Sequence, residues 1–219
     1  MMFGFGKKDA TVISEDKVYI TGEEKLEGML KDIKTAAHSY DAVMVITFFH
    51  DQFNVLKDEL EEQTVPFRFF DQVHQRYETV NAAANQMVRV LLLPSEVLKG
   101  MSGGFGEEKS GEVAVIVAGH HPKLETDSLV QTFARAMKRK AVITFYQSFE
   151  DELLKIFGGE RLSQLVATLG LAKGEAITHQ MVTSSIRNAQ EKLQERIVSD
   201  LPAASEAEWF RANISHQTK

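Results

Sequence analysis

Three groups of side chains in this sequence have types and spacings that chemistry could use. His120-His121 follows the apolar run Val113-Ala-Val-Ile-Val-Ala118, and Asp71 with His74 follows another strand-like run. Both lie at strand ends, where α/β sheets place their ligands. Imidazoles with a carboxylate are the donor set of a metal-dependent enzyme. Adjacent side chains on extended backbone point opposite ways, so His120 and His121 do not readily share one ion. No glutamate completes the HExxH spacing of a zinc protease. Ordinary loop histidines are the expectation, with no metal and no cofactor. The second group is Gly103-Gly-Phe-Gly-Glu-Glu-Lys109-Ser110, which superficially resembles a Walker A loop. Glu108 occupies the position that should be glycine, Glu107 precedes it, and the segment leads into a strand where a P-loop leads into a helix. Two carboxylates repel a triphosphate, so a flexible surface loop is expected. The third group, Ser148 and His179, could be posed as nucleophile and base. No G-x-S-x-G elbow is present, and Ser148 reads better as a helix cap. Lys138-Arg-Lys140 reads as a helix-end charge cluster and not as a nucleic-acid patch, and Gly4-Phe-Gly6 is too short for a dinucleotide fingerprint.

Composition narrows the classes further. The 219 residues include 31 acids and 25 bases, a formal net charge of −6, and no cysteine. A disulfide framework, a thiol nucleophile and any Cys-ligated metal are excluded. The negative balance argues against a nonspecific grip on nucleic acid or on an anionic membrane. No apolar run reaches the roughly 18 residues of a membrane span. Residues 1–9 lack the apolar region of a signal peptide. A soluble cytoplasmic protein is expected.

The elements that must position these residues alternate. A loose start over residues 1–17 precedes a short strand, Val18-Tyr19-Ile20, and a capping box, Thr21-Gly-Glu-Glu24. Leu26, Met29, Leu30, Ile33 and Ala37 then form one helix face. Further strands are expected at 42–46, 65–70, 88–93, 113–118 and 141–146. Helical patterns separate them at 53–60, 77–87 and 129–137. The stretch 100–111, with five glycines, is a loop. Beyond Ser148 the pattern is helical only: 153–157, 162–169 and 182–197, then a polar end that contains Trp209, Phe210 and Ile214. Trp209-Phe210 could anchor a partner or fold back onto the core. Strand-helix alternation over 18–147 predicts a parallel α/β sheet with right-handed crossovers, and 148–219 a helical extension and tail.

Longer motifs carry a resemblance. Phe145-Tyr-Gln-Ser148-Phe-Glu150-Asp151-Glu-Leu153-Leu-Lys-Ile-Phe157 resembles the "FYLSxEDxLxRxF" signature of SecA, the motor ATPase of bacterial preprotein translocase. Gly170-Leu-Ala-Lys173-Gly174-Glu175-Ala-Ile177-Thr-His179 is similar to its "GMKPGEAIEH". Val182-Thr183, Ile186, Ala189 and Gln190 continue as its "WVTxxIxxAQ", with Met181 at the usual tryptophan. Val18-Tyr19-Ile20-Thr21-Gly-Glu-Glu24-Lys25 matches "VYxTxxEK", and Asp32-Ile33-Lys34 matches "DIK". The order and spacing of these blocks agree over about residues 18–197. The resemblance implies the second RecA-like motor domain, of the P-loop NTPase helicase type, plus the start of the long scaffold helix.

The departures from that family touch the nucleotide chemistry. No segment matches the first motor domain with its Walker motifs. Where "ATNMAGRGTDI" should follow the strand at Val88, the chain reads Leu91-Leu-Leu-Pro94-Ser-Glu96-Val-Leu-Lys99-Gly100. Counting back from Phe145, the three arginines of the finger motif "QLRGRSGRQG" fall on Gln131, Phe133 and Ala136, with Arg135 one position from a match. Phosphoryl transfer needs a phosphate cradle, Mg²⁺ and cations on the developing charge. The resemblance therefore implies a non-catalytic interaction or scaffold protein. Its partners would be translocase components or a second copy, met across an apolar surface around Phe133 and Ala136, at the inner face of the membrane or free in the cytoplasm. The alternative is a nucleotide-binding subunit that completes a composite ATPase site with another chain, through Arg135.

Overall fold

The computed structural model describes residues 11–84, 86–101, 111–137, 139–157 and 174–215. The Walker-like stretch 103–110, Lys138, the helical pattern at 162–169 and Gly4-Phe-Gly6 lie outside these residues. In chain order the elements are β1 (Val12–Ile13), β2 (Lys17–Tyr19), α1 (Gly22–Ser39), β3 (Ala42–Thr47), α2 (His50–Glu62), β4 (Phe67–Asp71) and β5 (Arg76–Val80). Then come β6 (Val90–Pro94), a 3-10 turn (Ser95–Lys99), β7 (Glu112–Val117), α3 (Leu124–Ala136) and β8 (Lys140–Ser148). Among the described residues three further helices follow: α4 (Glu152–Phe157), α5 (Gln180–Gln194) and α6 (Glu206–Asn213).

The strands form one sheet in the order β1-β8-β7-β3-β6-β4-β5, with β2 also paired to β8. All pairings are parallel except β4–β5. The continuous apolar runs are explained by burial on both faces. In β3, Val43 and Val45 join the cluster beneath α1 and α2, while Met44 and Ile46 join the cluster beneath α3, α5 and α6. This period-2 division is the pleat itself. The mixed, mostly parallel sheet flanked by helices is the RecA-like class that the motifs imply.

Two local expectations are corrected. The helix read at 77–87 is replaced by β5, which pairs antiparallel with β4. Arg76-Tyr-Glu-Thr-Val80 alternates and is rich in β-formers, and the turn before it is built by Asp71. Asp71 Oδ1 accepts the N–H groups of Val73 (2.8 Å) and His74 (3.2 Å), and Gln75 turns the chain at φ 50°. Ser148 does not cap α4 with its hydroxyl. Its Oγ donates to Asp151 Oδ1 (2.9 Å), and Asp151 and Glu206 serve the helix start instead.

The loose start is tied down over its described part. Val12 and Ile13 pair with Val142 and Ile143, and Ser14 N donates to Ile143 O at 2.9 Å. The C-terminal helices do not stand apart from the sheet. Leu153, Val182, Ile186, Leu193, Trp209 and Phe210 share one buried cluster with Val115, Val117, Ile143 and Phe145. Trp209, 2% exposed, folds back onto the core.

The capping box of α1 forms in both directions: Thr21 Oγ1 accepts Glu24 N–H (3.1 Å) and Glu24 Oε2 accepts Thr21 N–H (3.3 Å). Met29, Leu30, Ile33 and Ala36 make its buried face. Gly28 lies under the Tyr19 ring, where an added Cβ would collide with the phenol oxygen. Tyr19 is itself stacked on Tyr146 at 6.4 Å and cannot retreat freely. Glycine to alanine in a helix normally stabilises by about 0.5–1 kcal/mol. Here overpacking of about 1–3 kcal/mol outweighs it. Gly28→Ala is therefore expected to lower the melting temperature, and a thermal scan that shows a rise contradicts this packing.

Candidate functional site

The site follows from the order of the strands. After β3 the chain turns through α2 toward β4 on one face of the sheet. After β7 it turns through α3 toward β8 on the other face. The loops that follow β3 and β7 therefore diverge at the carboxyl ends of adjacent strands, which is where open α/β sheets hold ligands. In this chain the crevice between them is covered by the segment that runs into α6. Asp51 N–H donates to Ala204 O (3.0 Å), Lys123 Nζ pairs with Asp200 (2.6 Å), and Trp209 meets the His121 ring at 5.3 Å. A cleft of about 290 Å³ remains between Phe48, Glu96, Lys99, Leu201 and Trp209.

The two histidines after β7 point to opposite environments, as adjacency dictates. His120 stacks on Phe145 at 4.2 Å and is held between two carboxylates. Its Nδ1 bonds Asp127 Oδ2 (2.7 Å), and its Nε2 lies 3.2 Å from Asp16 Oδ1, out of line for a hydrogen bond. Burial alone would depress the imidazole; Asp127 and Asp16 outweigh it and raise the pKa to about 10. His120 is an imidazolium in this fold. Gln190 extends the group: its Nε2 donates to Asp127 Oδ2 and to His121 O, both at 2.7 Å. His121 packs among Phe48, Phe49 and Trp209. Burial pushes its pKa down to about 4, and the neutral ring accepts Lys123 N–H at Nδ1 (3.0 Å). The imidazolium already has carboxylate partners, and the neutral ring is walled by aromatics.

His74 does not join them. It sits on the β4–β5 turn, and β4 is three strand spacings from β7, about 14 Å. It pairs instead with Asp71 (Nδ1–Oδ2, 2.6 Å), which raises the His74 pKa and lowers that of Asp71. With Glu78 these two bring three ligand atoms within 4.8 Å of one another. Each is already engaged: Asp71 by backbone N–H groups and His74, and Glu78 by Arg76 at 2.8 Å.

The finger positions are also located. Phe133 is 6% exposed and belongs to the core under α3, so it cannot form part of an external apolar surface as expected. Gln131 is half-buried and Ala136 exposed. Arg135 is exposed in the last turn of α3. That helix begins beside the crevice and runs back along its 13 residues, about 20 Å, to the opposite edge of the sheet. The fold does not bring Arg135 to the crevice. His179 is the N-cap of α5, its Nδ1 accepting Met181 N–H at 3.1 Å.

The motifs that carry the family resemblance meet in space. Lys25 Nζ contacts both oxygens of Asp151 (2.9 and 2.8 Å), and Asp151 Oδ2 also accepts Ser148 N–H (2.8 Å). Glu24 Oε1 accepts Gly174 N–H (3.0 Å), and Glu150 accepts Gly22 N–H (2.8 Å). Val18 and Ile177 form an antiparallel bridge. Asp32 holds Lys17 (2.6 Å) and the Tyr146 hydroxyl. Asp32 ties α1 to the sheet, and the other contacts join α1 and β2 to the helical extension. Glu206, which sequence reading did not single out, caps α4 by accepting the N–H groups of Glu152 (2.9 Å) and Leu153 (3.2 Å). Burial and then Asp151 raise its pKa to about 7. Its only sequence signal was Ser205, which caps α6 through Glu208 N–H (3.1 Å).

Comparison with known proteins agrees with the motifs. No family model matches the chain. The chain is 27% identical over 188 residues to protein translocase subunit SecA of Campylobacter lari, covering 84% of this chain and 22% of that protein. It is 28% identical over 182 residues to the SecA of Nitratidesulfovibrio vulgaris (82% and 22%) and 27% over 183 residues to that of Thermosipho africanus (82% and 21%). The chain thus spans about a fifth of the length of the curated relatives it matches. Among solved structures, the C-terminal part of the Fun30 ATPase domain aligns with a TM-score of 0.41 at 12% identity, covering 77% of this chain and 54% of that one. The C-terminal domain of a possible DNA helicase from Lactobacillus aligns at 0.36 and 15% identity, covering 63% and 74%.

Two outcomes test this electrostatic framework. His120 has its folded pKa raised above the unfolded value of about 6.5, so its contribution is complete below about pH 6.5 and lost as pH rises toward 10. Urea unfolding between pH 7 and 9.5 is expected to show stability falling, with a slope that approaches about 1.4 kcal/mol per pH unit. His120→Gln should flatten that slope; an unchanged slope in the variant removes His120 as its source. Lys25→Met leaves Asp151 in place without its cation, at side-chain exposures of 13% and 15% for the pair. A loss of about 2–3 kcal/mol is expected, somewhat below that of a fully buried pair, and equal stability of variant and parent would contradict the role given to the pair.

Proposed function

We propose that this chain is a SecA-like interaction or scaffold module that does not itself hydrolyse nucleotide, with preprotein translocation as its setting. The observation that carries this reading is the covered crevice. The carboxyl edge of the sheet, where an ATPase of this architecture would expose its nucleotide-facing surface, is occupied by the chain's own residues 200–209. Phe133 in the core and Ala136 at the surface stand where finger arginines would be, and neither can stabilise charge on a phosphoryl group. The motifs retained from the family are those that hold the helical extension to the sheet. That retention supports a module kept for its shape and its contacts, with translocase components or a second copy as the partner. The location proposed with it is the cytoplasm or the inner face of the membrane. No described helix is long and apolar enough to cross a membrane.

Nucleotide titration separates this reading from a composite ATPase site completed by another chain through Arg135. A ligand at a hundred times its Kd stabilises by about 2.7 kcal/mol. For a domain of this size that is a rise of about 5–10 °C in melting temperature. The expected result is a shift below about 1 °C with Mg-ATP analogue, alone or with a SecA first motor domain added. A rise of several degrees only when both are present, lost in Arg135→Ala, would establish the composite site instead.

A further inference from the structure

The sheet ends in an open edge. β5 is the last strand in the sheet order and pairs with β4 on one side. Among the described residues no backbone hydrogen bond from another segment reaches residues 76–80. The outer side of the strand therefore presents N–H and C=O groups to solvent. Such edges are commonly blunted by lysine, proline or a bulge, or covered by a helix or loop. Arg76-Tyr-Glu-Thr-Val80 holds neither lysine nor proline and pairs residue for residue with β4. Alternation puts Arg76 and Glu78 on one face of the sheet and Tyr77 on the other. There the Tyr77 ring meets Phe70 at 5.2 Å, and its hydroxyl lies 3.8 Å from Met101 Sδ. The ring is still 46% exposed.

We propose that β5 pairs antiparallel with β5 of a second copy, about a twofold axis centred on Tyr77, so that the sheet continues from one molecule into the next. A twofold axis between antiparallel strands stands perpendicular to the sheet and keeps each face on its own side. Directly opposed residues share a face, so the register must be centred on one residue. Centring on Arg76 opposes two guanidiniums, and centring on Glu78 opposes two carboxylates. Like charges set directly opposite are destabilising. Centring on Thr79 sets Glu78 against Val80 and pairs no charges. Centring on Tyr77 sets Arg76 of each copy against Glu78 of the other, two opposite-charge pairs on one face. On the other face it brings the two half-exposed tyrosine rings side by side. An edge with charges of one sign repels its own copy, whereas an acid and a base two residues apart are self-complementary. The contact already made within the strand does not use up these groups. Arg76 Nε (3.1 Å) and Nη2 (2.8 Å) both donate to Glu78 Oε1, at side-chain exposures of 63% and 35%. Arg76 Nη1 and Glu78 Oε2 make no other hydrogen bond among the described residues and are open to the second copy. About four main-chain hydrogen bonds form over so short a strand, so the interface is of the small, transient kind. The inference rests on the interaction reading above and deepens it by naming one surface and one partner.

Sedimentation equilibrium of the full chain, from about 5 µM to about 0.5 mM, is expected to show a monomer passing into a dimer with a Kd of about 20–200 µM. Arg76→Glu and Glu78→Arg, each alone, oppose like charges in this register and should weaken the dimer at least about tenfold. An equimolar mixture of those two variants, and a chain that carries both changes, set acid against base again. Both should recover association to within about threefold of the parent. The register has its own readout. The chain holds no cysteine, so the thiol of Tyr77→Cys can link only to a second copy. Across the axis the two Cβ atoms stand about 4.5–5.5 Å apart, close to disulfide reach. Oxidised glutathione is expected to give a covalent dimer. In Thr79→Cys the two thiols stand roughly 14 Å apart along the strands, and linkage should be at least about tenfold slower. A dimer indifferent to both charge reversals, no recovery in the mixture, or equal linkage at the two cysteines would overturn the inference. A chain monomeric throughout would overturn it too, and this pairing alone, since the nucleotide titration reads the scaffold role separately.

Discussion

The contact between Lys25 and Asp151 is the constraint on which the rest of this architecture depends. It joins the first turn of α1 to the point where β8 gives way to helices. Asp151 takes the ammonium on both oxygens while accepting Ser148 through backbone and hydroxyl. Around it Glu24 reaches Gly174, Glu150 reaches Gly22, and Glu206 caps α4. Four carboxylates crowded together would repel one another. Each is given donors from helix starts or turns, where unpaired N–H groups carry partial positive charge. The buried Lys25 ammonium supplies the one full positive charge that the group needs. Glu206, desolvated and close to Asp151, shows the residual strain as a pKa raised to about 7.

A second charged group works at the other side of the extension. The imidazolium of His120, between Asp16 and Asp127, ties the segment before β2 to the loop after β7; Gln190 ties α5 to that loop, and Thr183 Oγ1, accepting Asp16 N–H, ties α5 to the segment before β2. His121, next in sequence, is kept neutral by Phe48, Phe49 and Trp209. Two adjacent residues of one type thus carry opposite charge states because the extended backbone turns them toward different neighbours. The covering of the crevice accompanies this: Trp209 helps to bury the neutral His121 ring, and the segment that brings Trp209 also brings Ala204 to the start of α2 and Asp200 to Lys123.

Much of this was legible in the sequence, for physical reasons. Strands buried on both faces read as continuous apolar runs, so β3, β6, β7 and β8 were visible. The Thr21 box named the start of α1 because its two hydrogen bonds are local. The β4–β5 hairpin was missed because Ala82-Ala-Ala84 lends helical composition to a segment whose fold is decided by the Asp71 turn. The pairing of His120 with Asp16 was not legible, since Asp16 stands in a stretch with no period and meets its partner through the sheet. The motifs revealed which segments resemble SecA. They did not reveal that these residues spend their chemistry on partners within the fold: Lys25 on Asp151, Asp32 on Lys17 and Tyr146, and Gln190 on Asp127.

That last point decides how the family likeness is to be understood. A motor domain needs two kinds of polar residue: those that hold its parts in register and those that face the nucleotide. In this chain the first kind is present and paired, from Lys25–Asp151 to Gln190–Asp127. At the finger positions of the second kind, Phe133 has gone into the core. An arginine side chain there would have to leave the space under α3 and open a void next to Val130 and Ala134. Restoring one cation would therefore disturb packing on that face of the sheet. The crevice would also have to release Trp209 and the Ala204 carbonyl before a phosphate could approach. Packing of the core and covering of the edge act together, and both support the proposed role in contact with other polypeptides.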